Sequence, residues 1–341
     1  MVKLSLQPNL TYMKYFVLTL LFILASCKKN SFEKATITPS KTDSISTDEQ
    51  IKNYMSTIDT NFKYFNPQNI QYVKSTNSPT IDSIMKITAK GLNINKSVYK
   101  ADFDNNGYTD LLVLGGWGET NHYSSYVVMN FGRKKKPKLI ALNKDMQLLD
   151  IPKVLSIRNE PFLILYSSRN MRGTNPKISD TTSTKLIFKY GGFAEYSEKP
   201  SENHIEKIEF KTSPCFGTCP VYQLTINKNK SATFLAEHYN FNKDKRNNAF
   251  KNEGLFDTKI NDIDYKQLVN LLNYIDFKNL KDEYSVSWTD DQTATLTITY
   301  DNGKTKTIED YGMIGTYGLS SVYDLLAEMR FNQKWKKIKE H

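Results

Sequence analysis

The sequence predicts a mostly β N-terminal domain built on an antiparallel sheet, over residues 47–200. An α+β C-terminal domain, an antiparallel sheet carrying two helices, follows over residues 201–341. Three observations carry this expectation. From about residue 97, apolar runs of strand length recur between Gly, Asn, Asp and Pro. Beyond His204, segments that alternate strictly in polarity are interleaved with two stretches of helical periodicity. Between the two lies the polar stretch around Glu198 to His204, which reads as a boundary. A chain of 341 residues with 39% hydrophobic and 24% charged residues is an ordinary globular one, long enough for two moderate domains.

The N-terminus sets the compartment. From Met13, which looks like a better start than Met1, the chain reads MKYFVLTLLFILASCKKN: a lysine, an apolar run from Tyr15 to Ala25, then small residues and a cysteine. The run is shorter than the roughly 20 apolar residues of a membrane-spanning helix, so residues 1–26 read as a cleaved signal peptide. Leu24-Ala25-Ser26-Cys27 resembles a bacterial lipobox. That resemblance implies cleavage before Cys27 and attachment of diacylglycerol and an acyl chain such as palmitate. The alternative is an ordinary signal peptide with a cysteine nearby.

Residues 27–46 are polar, without periodicity and rich in Ser, Thr and Lys, and read as a flexible tether with a root-mean-square span of about 25 Å. No acidic run follows Cys27, which points to the periplasmic face of the outer membrane, with exposure at the cell surface as the alternative. Structure is expected from Thr47, where Thr47 and Gln50 have capping-box spacing. Ile51, Met55, Ile58, Phe62 and Phe65 then form a core-facing helical stripe. The strands expected next are TDLLVLGG, SSYVVMNFG, KLIALN, KVLSIRNEPFLILYSS and TKLIFKYGGFAEY.

The most explicit chemistry lies just before the first of these strands, in DFDNNGYTD. Asp102, Asp104, Asn106 and Asp110 occupy the first, third, fifth and ninth places, and Gly107 the sixth. In calcium loops alternate side chains turn inward, glycine permits the bend and the seventh residue, here Tyr108, offers its carbonyl. Hard oxygen donors at this density suit Ca²⁺. Val113 stands where an EF-hand has its glutamate, and a strand follows in place of a helix, so an EF-hand is excluded. The loop resembles the aspartate-rich loop of FG-GAP and VCBS-type repeats, in which such a segment leads into a strand, as Asp110-Leu111-Leu112-Val113 does here. The alternative is a metal-free turn rich in Asp, Asn and Gly. The following GGWGETNH links strand to strand and is a weak phosphate cradle.

In the C-terminal domain, Ile208 and Phe210, then Tyr222, Leu224 and Ile226, alternate on either side of PCFGTCPVY. A hairpin turn at Lys228-Asn229-Lys230 follows. A helix opened by Asp262 carries Leu268, Leu271, Leu272 and Ile275. Ala294, Leu296, Ile298 and Tyr300 mark a strand, DNGK a turn, and Val322, Leu325, Leu326 and Met329 a last helix capped by Ser320. The phrase Cys215 to Tyr222, with the hairpin, the helix and Tyr284 with Asp290 or Asp291, resembles a bacterial family of extracytoplasmic domains of unknown function. That resemblance supplies no activity.

Once Cys27 carries lipid, two of the three cysteines remain, Cys215 and Cys219. Zinc needs two more ligands, and the four histidines, His122, His204, His238 and His341, show no ligand spacing. A thiol-disulfide redox centre is better served by Cys-x-x-Cys at a helix N-terminus. An exported pair favours a structural disulfide, with Gly217 allowing the curl.

The expected function is therefore a membrane-anchored envelope lipoprotein, a non-enzymatic binding or structural module with a Ca²⁺-stabilised loop. The alternative is a thiol-disulfide redox protein using Cys215 and Cys219. Asp290-Asp291 and Glu309-Asp310 read as turn or surface acids. The net charge of +10 falls to +8 without Lys3 and Lys14 of the signal, and it gathers in Arg133 to Lys138 and in the C-terminal KWKKIKEH. Such runs attract anionic lipids, lipopolysaccharide or acidic glycans, or simply form a solvated surface. The expected partners are the membrane, through the anchor, and an envelope protein or glycan; nucleic acid is not one.

Overall fold

Thr47 opens the first long helix as its spacing predicts. Its Oγ1 accepts the Gln50 N–H at 3.2 Å, and Gln50 Oε1 accepts the Thr47 N–H at 3.3 Å. The computed structural model describes residues 37–74, 79–143, 148–157, 160–169, 181–240 and 253–338, and residues 37–341 form one compact unit. Among the described residues it is mostly β, with three open, essentially antiparallel sheets and five α-helices, none long and apolar enough to cross a membrane.

In chain order, α1 (Lys41–Ser44) and α2 (Asp48–Ile58) precede β1 (Phe65–Pro67), α3 (Pro79–Gly91) and β2 (Val98–Ala101). β3 (Asp110–Trp117), β4 (His122–Met129) and β5 (Lys138–Ala141) complete the first sheet, in the order β1-β3-β4-β5 with β2 also on β3. β6 (Leu148–Ile157), β7 (Glu160–Arg169), β8 (Thr181–Lys189) and β9 (Gly192–Glu195) form a four-stranded meander. The third sheet takes β10 (Ile205–Thr212), β11 (Val221–Asn227), β12 (Ser231–His238), β13 (Gly254–Lys259), β14 (Glu283–Ser285), β15 (Thr293–Tyr300), β16 (Lys304–Tyr311) and β17 (Lys336–Lys337). Two helices, α4 (Asp262–Tyr274) and α5 (Tyr317–Asn332), interrupt it. Its order is β14-β16-β15-β10-β11-β12-β13-β17, and only β14-β16 is a parallel pair.

The apolar runs of the first two sheets are continuous because both faces of each sheet are covered. In β3, Leu111 and Val113 join the α2 residues Ile51, Tyr54 and Met55, while Leu112 and Leu114 face a second core with Ile81, Met85 and Ala89 of α3. The meander shares that second core through Leu163, Leu165, Leu186 and Phe193. Its other face, Phe162, Ile164, Ile187 and Ala194, packs into the core that α4 and α5 make with the eight-stranded sheet. The polar stretch expected as a boundary is the passage from the meander to the eight-stranded sheet. There the Ser201 N–H donates to the Asn273 carbonyl at 3.1 Å, and the Asn203 N–H to Asn273 Oδ1 at 2.9 Å.

Several expectations need correction. The stripe through Phe65 outlasts its helix, because Phe62 lies in a 3-10 turn and Phe65 begins β1, though both stay in the same core. α4 does open at Asp262, with Asn261 before it as the cap, its side chain accepting the Asp264 N–H at 2.9 Å. Thr316, not Ser320, caps α5, accepting the Leu319 N–H at 3.0 Å. Residues 37–46 of the expected tether belong to the fold; residues 27–36 lie outside the described residues. Within 37–46, Ser, Thr and Asp residues act as clips and caps: Asp43 Oδ2 accepts the Ser40 N–H at 2.7 Å, and Thr42 and Ile45 are buried. The signal peptide (1–26) and Cys27 lie outside the described residues.

Candidate metal centre

β2 ends at Ala101 and β3 begins at Asp110, so DFDNNGYT is the turn of a hairpin whose register pairs Ala101 with Asp110. Asp102 organises the turn with both oxygens: Oδ1 accepts the Asn106 N–H at 3.0 Å and Oδ2 the Gly107 N–H at 2.8 Å. Gly107 takes φ +82°, a left-handed conformation that favours glycine. Asp110 is fully buried, and its Oδ2 and Oδ1 accept the N–H groups of Phe103 at 2.8 Å and Asn130 at 2.6 Å.

Between these two stands Asp104. Asp102, Asp104 and Asp110 each offer a carboxylate oxygen, and the three lie within 4.8 Å of one another. Asp104 Oδ2 accepts from Asn106 Nδ2 at 2.9 Å, whereas its Oδ1 is buried with no hydrogen-bond partner. Burial pushes the Asp104 carboxyl up to about 6, with the neighbouring Asp102 charge adding to it. Burial likewise raises Asp110 to about 8, against the two N–H donors that favour its ionised form. Three carboxylates so close repel one another unless a proton or a cation stands among them. A hard divalent cation fits this donor set, and the orphaned Asp104 oxygen has the chemistry of a ligand.

The other expected ligands, Asn106 and Tyr108, have contacts of their own. Asn106 turns its amide nitrogen to Asp104 and to the Asn130 carbonyl, at 2.9 Å each, while its Oδ1 accepts the Tyr108 N–H at 2.7 Å. The Tyr108 ring lies against Gly132, where a Cβ would collide with it. Val113, in the EF-hand glutamate place, is core.

Sequence reasoning missed the surroundings of the loop. The Thr38 N–H donates to the Gly107 carbonyl at 2.7 Å, Thr42 Oγ1 to the Thr109 carbonyl at 2.6 Å, and Thr109 Oγ1 to Asp43 Oδ1 at 2.5 Å. Asn130 Nδ2 reaches Ser40 Oγ and Thr42 Oγ1, both at 3.1 Å. Thus the N-terminal arm and the end of β4 clasp the loop from both sides. The local signal was faint, since isolated Ser, Thr and Asn residues read equally well as linker.

The cysteine loop is a second built feature, away from these carboxylates in sequence. Cys215 and Cys219 form a disulfide with Cα atoms 5.8 Å apart, and Gly217 takes φ +151° within the ring. Thr212 Oγ1 donates to the Pro220 carbonyl at 2.7 Å, and Gln292 Nε2 to the Ser213 and Pro220 carbonyls at 2.7 and 2.9 Å. Those bonds tie both ends of the loop to the start of β15. Phe216 at its tip is 89% exposed, so the loop presents the ring and does not bury it.

Tyr284 stands in register with Asp310, across the parallel β14-β16 pair. Asp310, read from sequence as a turn or surface acid, is fully buried. Its oxygens accept the Ile314 and Gly315 N–H groups at 3.1 and 2.9 Å, which shapes the entry to α5. The reason is the β16 alternation, which turns Ile308 and Asp310 to the covered side.

These features define a layered, β-rich protein with a clasped acidic loop and a C-terminal α+β region stapled by a disulfide. Residues 206–330, from β10 through most of α5, match the family described as a domain of unknown function (DUF6438). The match takes in the cysteine loop and supports the expected kinship of the C-terminal part. No curated protein and no solved structure matches the chain.

Proposed function

We propose that this protein is a lipid-anchored module of the cell envelope, held through Cys27 on the periplasmic side of the outer membrane, whose Asp-rich loop is organised by Ca²⁺. It acts by binding or scaffolding rather than by catalysis. The observation that carries the ion assignment is the convergence of Asp102, Asp104 and Asp110 within 4.8 Å with one buried oxygen of Asp104 left without a partner. Asp102 and Asp110 bind through oxygens whose orientation the backbone N–H groups already hold. Asp104 closes the site. The role of the ion is structural, in the affinity class of extracellular calcium modules, about 0.1 to 1 mM.

The Cys215–Cys219 bond fits this reading as a clasp that sets the shape of a loop exposing Phe216. The hydrogen bonds of Thr212 and Gln292 hold the loop ends independently of the bond. The anchor rests on the lipobox-like Leu24-Ala25-Ser26-Cys27 alone.

Two measurements test the proposal. Thermal unfolding in excess EGTA and in 2 mM Ca²⁺ should differ by several degrees, and an unchanged Tm would remove the ion. Metabolic labelling with radioactive palmitate should mark the wild-type chain and not Cys27→Ser. Label in neither would remove the anchor.

A further inference from the structure

We infer that the turn from Arg133 to Lys136 is a membrane-facing surface that binds anionic phospholipid headgroups. The inference rests on the lipid-anchor reading for its geometry and on charge for its chemistry. The arm leaves the body at Ile37 and Thr38, and the Thr38 N–H is fixed to the Gly107 carbonyl at 2.7 Å. The next residue after Gly107, Tyr108, lays its ring on Gly132, and Asn130 Nδ2 bonds Ser40 Oγ at 3.1 Å. The exit of the arm and the start of the basic turn are therefore one patch of surface, joined through two side chains.

Arg133, Lys135 and Lys136 are exposed there. Lys138, by contrast, is spent on Asp324 and Glu328, at 3.7 and 3.0 Å, and belongs to the fold. Two acids of the arm and the loop accept hydrogen bonds within the fold. Asp43 takes the Thr109 hydroxyl and the Ser40 N–H, and Asp102 takes two backbone N–H groups.

Ile37 lies only ten positions after Cys27. Whatever its conformation, that stretch reaches at most about 35 Å. A lipidated Cys27 would therefore keep this patch within about 35 Å of the headgroups. Cationic side chains near an anionic leaflet each add about five-fold to binding, so three of them act as a second, reversible contact beside the anchor. The other lysine cluster, Lys336 and Lys337, lies on the edge strand β17 beside β13.

The test uses the chain from residue 27 with Cys27→Ser, which keeps the whole compact unit and carries no lipid. It is sedimented with vesicles of phosphatidylcholine containing 30% phosphatidylglycerol, and with phosphatidylcholine alone, in EGTA at 50 and 300 mM NaCl. We expect at least ten-fold tighter binding to the anionic vesicles at low salt and its loss at high salt. Arg133→Glu/Lys135→Glu/Lys136→Glu should abolish the preference with an unchanged Tm, while Lys336→Glu/Lys337→Glu should keep it. Equal binding to both vesicles, dependence on the β17 lysines instead, or stronger retention on an acidic polysaccharide than on the vesicles would each overturn the inference. Because no acylation is involved, failure here is distinct from failure of palmitate labelling, which alone reports on the anchor.

Discussion

Thr42 donates its hydroxyl to the Thr109 carbonyl at 2.6 Å, joining the N-terminal arm to the acidic loop across 67 positions of sequence. Thr42 is fully buried, so removing the donor leaves the carbonyl with only the longer 3.4 Å contact from Asn130 Nδ2. Thr42→Val keeps the shape and should cost about 1 to 2 kcal/mol of stability. On the proposed Ca²⁺ assignment, Ca²⁺ affinity should fall with it, by thermodynamic reciprocity between arm docking and ion binding. Unfolding in urea, with and without Ca²⁺, reads both effects. A variant with wild-type stability and affinity would show that the arm is not a clasp.

The acidic loop sets a pH dependence whose sign is opposite to that of ordinary paired carboxylates. Asp104 and Asp110 are raised to about 6 and about 8, above their unfolded values. Groups raised on folding contribute stability that is fully present below the unfolded pKa and is lost as pH rises through the folded one. In EGTA the protein should therefore lose stability between about pH 4 and pH 8 through these two groups. Ca²⁺ competes with the same protons, so the Tm gain on adding Ca²⁺ should grow from pH 5 to pH 8.5. A gain that is constant across that range would place the ion elsewhere.

Glu195, at the end of the middle sheet, grips the first turn of α5 with both oxygens. Oε1 accepts the Tyr317 N–H at 2.6 Å and Oε2 the Gly318 N–H at 3.0 Å. A carboxylate at a helix N-terminus gains from both the hydrogen bonds and the helix dipole. Glu195→Gln retains one acceptor and loses the charge, and should lower stability by about 1 to 2 kcal/mol. Glu195→Ala should lower it further. Tyr317→Phe removes the hydroxyl that donates to the Leu142 carbonyl at 2.6 Å and should act similarly, by about 1 kcal/mol. Chemical denaturation of the three variants is sufficient, and neutral substitutions would show that α5 is held by packing alone.

The disulfide closes a ring whose cysteines are four positions apart. On the chain-entropy model such a loop contributes only about 2 kcal/mol, so Cys215→Ala/Cys219→Ala should remain folded at 25 °C. The bond should also persist in a glutathione buffer at millimolar concentration, as read by mass spectrometry after alkylation. Ready reduction there would favour the thiol-disulfide alternative.

Local periodicity was enough to read most strands, because β3, β7 and β15 each carry an apolar run or a strict alternation. The same continuous run in β7 also held the information that both faces are covered, Phe162 and Ile164 on one and Leu163 and Leu165 on the other. α3 went unread although Ile81, Ile84, Met85 and Ala89 have helical spacing. The carboxylates of the loop were legible because their spacing is itself the chemistry. Asn130 and Thr42 were not, because they reach the loop only through tertiary contacts 20 and 67 residues away from it. Asp310 was misread for a similar reason, since the Ile314 and Gly315 groups that it accepts from are backbone N–H groups, which no side-chain pattern announces.

The ion is the central claim, and calorimetric titration of EGTA-stripped protein with CaCl₂ at pH 8 tests it most directly. The account predicts one site per chain with a dissociation constant of about 0.1 to 1 mM, and no binding heat in Asp104→Asn. That variant should be at least as stable as wild type in EGTA, because it removes a like charge beside Asp102. Absence of heat in the wild-type protein, or undiminished binding by Asp104→Asn, would contradict the assignment of Ca²⁺ to Asp102, Asp104 and Asp110.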